Sequence, residues 1–139
     1  MAENYTILVC DDEKEITDAI EIYLTQEGYT VLKAYNGNEA IDILIKEKVH
    51  LLIIDLMMPG MDGVEAMRKI RAIRSPKDDR MPIVALTANT MSTAREMFAA
   101  EGFDGFVSKP VNIAELERVM KKVIPERMIE YIDQDAEED

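Results

Sequence analysis

Cys10 is the only cysteine, so no internal disulfide can form, which fits a reducing compartment. No apolar run approaches the length of a membrane span, which argues against membrane insertion. The N-terminus has neither the basic nor the apolar region of a signal peptide, and the expected location is the cytoplasm. Bases are scarce: 16 Lys and Arg stand against 28 Asp and Glu, for a formal net charge of -12. That balance argues against direct nucleic-acid binding through phosphate contacts. No internal repeat is present. Neither a G-x-G-x-x-G nor a P-loop follows the first apolar run, which argues against a nucleotide or flavin module. The calcium pattern of an EF-hand is also missing.

What remains is a chain of 139 residues, long enough for one domain with a single core. The expected division is a domain over 1–124 and a C-terminal helical extension with an acidic tail over 125–139, with no output domain. In the tail, Asp133 to Asp139 hold five acids and no base. The most informative stretch runs from Leu51 to Gly63. Four apolar residues lead directly into Asp55, and Pro59-Gly60 and Asp62-Gly63 follow as turn signals. Such a run reads as a strand covered on both faces of a parallel sheet. Asp55 then stands where the strand leaves the core, held in place by the strand itself.

The other segments repeat the pattern. Tyr5 to Cys10 reads as the first strand and ends in Asp11-Asp12-Glu13. A helix follows with Ile16, Ala19, Ile20, Tyr23 and Leu24 on one face, a capping box of Asp12 with Glu15, and Gly28 as its stop. Thr30 to Ala34 is the second strand. Asn36 and Glu39 cap the next helix, whose inner face is Ala40, Ile41, Leu44 and Ile45. Val49 to Ile54 is the third strand. The third helix runs from about Gly63 to Arg74 with Val64, Met67 and Ile70 inward, and Ser75-Pro76 ends it. After a charged loop from Lys77 to Met81, Ile83 to Leu86 is the fourth strand, ending at Thr87. A fourth helix is expected from about Thr90 to Ala100. Phe103 to Val107 is the fifth strand, ending in Ser108-Lys109-Pro110. Asn112 with Glu115 opens the fifth helix, with Ile113, Leu116, Met120 and Val123 inward. Pro125 breaks or kinks that helix.

Five strand-then-helix repeats predict an α/β fold: a flavodoxin-like (βα)5 doubly wound parallel sheet of strand order 2-1-3-4-5. That order sets the first and third strands side by side and converges Asp11, Asp12 and Asp55 at the carboxyl edge. Thr87 and Lys109 end strands on the same edge. Three converging carboxylates repel unless a cation joins them. All-oxygen ligands in a partly open site favour Mg²⁺. Asp55 is then free to act as a nucleophile toward a phosphoryl group. Lys109 can neutralise part of that group's charge, and the Thr87 hydroxyl can donate to it.

Asp11-Asp12, Asp55 with Met57-Met58-Pro59-Gly60-Met61-Asp62-Gly63, Thr87-Ala88 and Lys109-Pro110 together resemble the receiver domain of two-component response regulators. The resemblance spans about Tyr5 to Ile124. It implies a phosphoryl-accepting signalling switch in a two-component phosphorelay. A histidine kinase or histidine phosphotransfer protein would donate to Asp55. Asp12, Asp55 and the Met57 backbone carbonyl would bind Mg²⁺, with Asp11 acting largely through water. The resemblance further implies a cis peptide before Pro110, a switch formed by Thr87 and Phe106, and rate tuning by Met57 and Asn89. Partner docking would use the face of the fourth helix, fifth strand and fifth helix. The protein would be no enzyme beyond its own phosphorylation and dephosphorylation.

Within this resemblance the first half looks like receivers attached to winged-helix DNA-binding domains. The Pro82 to Asn89 stretch looks more like receivers of hybrid kinases. The charged set that pairs winged-helix receivers is incomplete, with Gly105 where an acid is usual and Val119 where a base is usual, so a monomer or weak dimer is expected. Phe106, lacking the hydroxyl of the tyrosine often found there, is expected to turn inward by burial alone. Haloacid-dehalogenase-like phosphotransferases place a second acid two residues after the nucleophile; here Asp11 and Asp12 are adjacent and no cap-domain insertion is evident. Cys10 is expected to be an inert buried thiol, His50 to be structural, and Asp62-Gly63 to be a turn and helix start without chemistry.

Overall fold

In a computed structural model of the chain, residues 5–73, 81–88 and 102–124 are described. The expected fourth helix, Asn89, the end of the third helix with the loop after it up to residue 80, and the 125–139 extension lie outside those residues. The described elements alternate as β1 (Thr6–Cys10), α1 (Lys14–Gln26), β2 (Thr30–Ala34), α2 (Gly37–Lys46), β3 (Leu51–Asp55), α3 (Gly63–Ile73), β4 (Ile83–Thr87), β5 (Gly105–Ser108) and α4 (Ile113–Val123). All strand pairs are parallel, in the order β2-β1-β3-β4-β5. This is the predicted doubly wound sheet. The helix expected as the fifth is therefore α4 among the described helices.

The apolar runs form the three central strands because successive side chains alternate between two cores. Leu8, Cys10, Leu52, Ile54 and Ala85 meet α2 and α3 through Ala40, Leu44, Ala66, Met67 and Ile70. Ile7, Val9, Leu51, Ile53, Val84 and Leu86 meet α1 and α4 through Ile20, Leu24, Leu116 and Met120. Every residue of β3 and β4 is buried. Asp55 and Thr87 thus stand at the ends of the two fully buried strands.

The helix boundaries follow local chemistry. Asn36 Oδ1 accepts from Glu39 N at 2.9 Å, Asp62 Oδ1 from Glu65 N at 2.8 Å, and Asn112 Oδ1 from Glu115 N at 3.0 Å. Each satisfies one of the orphan N–H groups of a helix start. Glu39 reaches back one residue further than a capping box requires, to Tyr35 N. At the end of α1, Gly28 N donates to Thr25 O and Tyr29 N to Leu24 O, both at 3.1 Å, with Gly28 at φ +96°. That pair of bonds is a Schellman stop, which glycine adopts without the Cβ clash.

Several sequence expectations are corrected. The α1 cap is Glu13, and its side chain makes no capping bond; Asp12 does not cap. Glu13 N is instead held by Asp11 Oδ1 at 2.8 Å. On α1, Thr17 is buried and Ala19 exposed. The Thr17 hydroxyl donates to Lys14 O at 2.9 Å, which lets a polar side chain occupy the inner face. Ala19 and Ile113 border a groove of about 470 Å³ between α1 and the start of α4, which leaves both exposed. Ile45, in the last turn of α2, is also exposed. The third strand begins at Leu51 rather than Val49, and the fifth at Gly105 rather than Phe103. Met81, expected in a charged loop, is a buried core residue.

Candidate functional site

Each site residue stands at or just past a strand end, where the ladder hydrogen bonds continue and fix the backbone. Asp11 N donates to Ala34 O at 3.1 Å, extending β1 against β2. Leu56 N donates to Leu86 O at 3.0 Å, and Lys109 N to Thr87 O at 2.9 Å. Asp55, Thr87 and Lys109 therefore lie on adjoining strands at one edge. The Lys109–Pro110 peptide bond is cis.

Asp11 and Asp55 are buried, while Asp12 is exposed. One carboxylate oxygen from each of the three falls within 4.8 Å of the others. Asp55 Oδ1 accepts from Met57 N at 3.1 Å. Asp55 Oδ2 accepts from Lys109 Nζ at 3.2 Å. The same ammonium is 3.1 Å from Asp11 Oδ2 and 3.5 Å from Glu13 Oε1. Burial raises the Asp11 carboxyl above its ordinary range, against the pull of the Glu13 N–H and of Lys109. Burial also works against the Lys109 charge, but the contacts with Asp11 and Asp55 outweigh it and the ammonium pKa is raised. Lys109 therefore stays charged.

The acidic residues fit a divalent ion. Asp11 Oδ2 is sealed from solvent and no donor reaches it at hydrogen-bonding angles, although Lys109 pairs with it by charge. A buried carboxylate oxygen left in that state is suited to a cation or its bound water. The exposed Asp12 leaves one side open to water, and the donors are all oxygen, which matches Mg²⁺. Met57 extends from this rim with three quarters of its side chain exposed.

The family described as the response regulator receiver domain matches residues 7–121 of the chain. The chain is a response regulator receiver domain. Among solved structures, this receiver domain is similar to the chemotaxis protein CheY4 of Vibrio cholerae, at 28% identity and TM-score 0.80 over 88% of this chain and 100% of that one. A CheY-like receiver domain protein of Methanospirillum hungatei matches 99% of the receiver domain and 100% of its own chain, at 26% identity and TM-score 0.73. The receiver domain of Ssk1 from Saccharomyces cerevisiae, solved with the histidine phosphotransfer protein Ypd1, matches at 25% identity and TM-score 0.75 over 86% of this chain and 89% of that one. Family membership implies a phosphoryl-accepting signalling switch of two-component systems. Among the described residues no helix of this receiver domain is long and apolar enough to cross a membrane.

Four of the predicted side chains thus meet directly: Asp11, Asp12, Asp55 and Lys109. Thr87 is buried at the end of β4, opposite Ser108 in the ladder. Phe106 is partly buried and packs on the α2–α3 side of the core, 6.1 Å from Phe103 between ring centroids. Cys10 is buried beneath the acids, and burial pushes its thiol pKa up to about 12. Two contributors escaped the sequence reading. Nothing in the sequence singles out Glu13 after Asp11-Asp12; its contact with Lys109 does. Gly63 looked like a turn residue, but a Cβ there would stand 2.5 Å from Asp55 O and 2.8 Å from Leu56 Cα. Its bareness lets the start of α3 pass beneath the Asp55 backbone.

Proposed function

We propose that Asp55 accepts a phosphoryl group from the phosphohistidine of a histidine kinase or histidine phosphotransfer protein. An Asp55 carboxylate oxygen attacks phosphorus, the O–P bond forms and the donor P–N bond breaks, and the leaving imidazole takes a proton from solvent. The ion pair of Lys109 with Asp55 and Asp11 carries this reading. It keeps a cation beside the nucleophile, where the phosphoryl oxygens arrive. Asp12, Asp55 and the Met57 carbonyl would hold Mg²⁺, with Asp11 acting through water, and the ion would supply neutralisation of the phosphoryl charge. Thr87 and Lys109 bind the phosphoryl oxygens, and Met57 and Asn89 tune its lifetime.

Phosphorylation biases a two-state element. Thr87 moves toward the phosphoryl group and Phe106 occupies the space left. The face of β5, α4 and the expected 90–100 helix then changes for a downstream protein. The domain spans 1–124, works in the cytoplasm, and turns over no substrate besides its own phosphoryl group. Incubation with acetyl phosphate and Mg²⁺ tests this. The intact mass should rise by one phosphoryl group in the native protein and stay constant in Asp55→Ala. Incorporation that survives in Asp55→Ala would overturn the assignment.

A further inference from the structure

Three carboxylates surround the Lys109 ammonium: Asp55 and Glu13 accept hydrogen bonds from it, and Asp11 pairs with it by charge. Asp11 Oδ2 is at 3.1 Å, Asp55 Oδ2 at 3.2 Å and Glu13 Oε1 at 3.5 Å. The first two belong to the buried acid cluster. Glu13 does not; its side chain is 63% exposed and approaches the 16% exposed Lys109 from the solvent side. Glu13 is also the cap residue of α1, yet its carboxylate makes no capping bond. Its backbone N–H is meanwhile donated to Asp11 Oδ1 at 2.8 Å. One residue therefore holds Asp11 through its backbone and Lys109 through its side chain.

We infer that Glu13 is a positioning residue that gates Lys109, holding the solvent-facing donor of the ammonium until a phosphoryl group displaces it. The inference rests on Asp55 being the acceptor. An arriving phosphoryl group comes from solvent, carries negative charge and needs a Lys109 donor. Glu13 opposes it twice, by occupying that donor and by like-charge repulsion. Because the pair is half exposed, the opposition is modest.

Two variants separate the contact from the charge. Glu13→Gln removes the charge. Glu13→Asp keeps it, but the side chain is one methylene shorter, and aspartate at a cap position is drawn to the helix N–H groups. The first readout is hydrogen exchange of the Lys109 ammonium with water, followed by lysine ¹⁵N NMR without metal or donor. Exchange should quicken in both variants. The second is the dissociation constant of beryllofluoride, an anionic phosphoryl mimic, measured with Mg²⁺. Both variants should bind it more tightly, by roughly two- to five-fold, the range expected for an exposed pair. Ammonium exchange unchanged in both variants would overturn the contact. A Glu13→Asp protein that matches the native one while Glu13→Gln binds more tightly would reduce the effect to a general field and overturn the gate. If the native protein takes up no beryllofluoride at all, the acceptor assignment fails and the gate with it, while ammonium exchange still reports whether the ion pair exists.

Discussion

At Gly63 a hydrogen stands where any other residue would push carbon against the Asp55 carbonyl. Both clashing groups, Asp55 O and Leu56 Cα, are backbone and cannot rotate aside. Gly63→Ala should therefore cost about 1–3 kcal/mol, the usual penalty of overpacking, although alanine is the better helix former. Urea unfolding measures this, and an unchanged midpoint would contradict the close approach. Cys10 makes a second prediction at this scale. Its thiol is sealed beneath the acids and its pKa pushed up to about 12, so the thiolate needed for reaction is scarce. A thiol-specific reagent should modify the native protein no faster than it unfolds, and at once in denaturant. Asp55 and Lys109 were legible in the sequence because each ends an apolar run, and a strand end fixes where such a side chain stands. Glu13 and Gly63 were not. Their roles depend on what another segment brings within 3.5 Å, and no local pattern encodes that.

The elements were read best where a short run of one character has hard edges. Thr30–Ala34 and Ile113–Val123 are bounded by turns and caps that the residues announce. The inner faces of the helices were read less well. Helical periodicity shows which way a stripe points but not how far neighbours cover it, so Ala19, Ile45 and Ile113 remain outside. The tie among elements at the opposite sheet edge was also hidden. Arg71 on α3 donates to Met81 O at 2.6 Å and Gly102 O at 3.0 Å, and pairs with Asp104 at 2.8 Å. Asp104 Oδ2 in turn accepts from Ile83 N at 2.8 Å. One guanidinium thus joins α3 to the starts of β4 and β5, the strands that deliver Thr87 and Lys109. Arg71→Ala should lower stability by about 2 kcal/mol, on the scale of lost hydrogen bonds involving a charge. Urea denaturation checks the loss, and a change of a few tenths would show that the tie is dispensable. Asn36→Ala, which removes only the α2 cap, should cost about 1 kcal/mol by the same measurement.

For the molecule as a whole, the sheet order brings residues 11, 12, 55 and 109 to one rim from three separate stretches of chain. The doubly wound order was legible because five strand-and-helix repeats with right-handed crossovers leave few alternatives. Gly105 on β5 and Val119 on α4 touch, with Val119 Cγ1 2.6 Å from where a Gly105 Cβ would be. Neither residue carries a charge, so beryllofluoride and Mg²⁺ should leave the protein monomeric, or at most weakly dimeric, in sizing chromatography at micromolar concentration. A stable dimer would show that this face pairs without charges at these two positions. The central claim, that the rim exists to place a phosphoryl group on Asp55, is tested most directly by chemical trapping. After incubation with acetyl phosphate and Mg²⁺, borohydride reduction converts an acyl phosphate to an alcohol, and peptide mass mapping locates it. The reduced residue should be 55 and should require Mg²⁺; reduction at another acid, or none in a folded and metal-supplied protein, would contradict the claim.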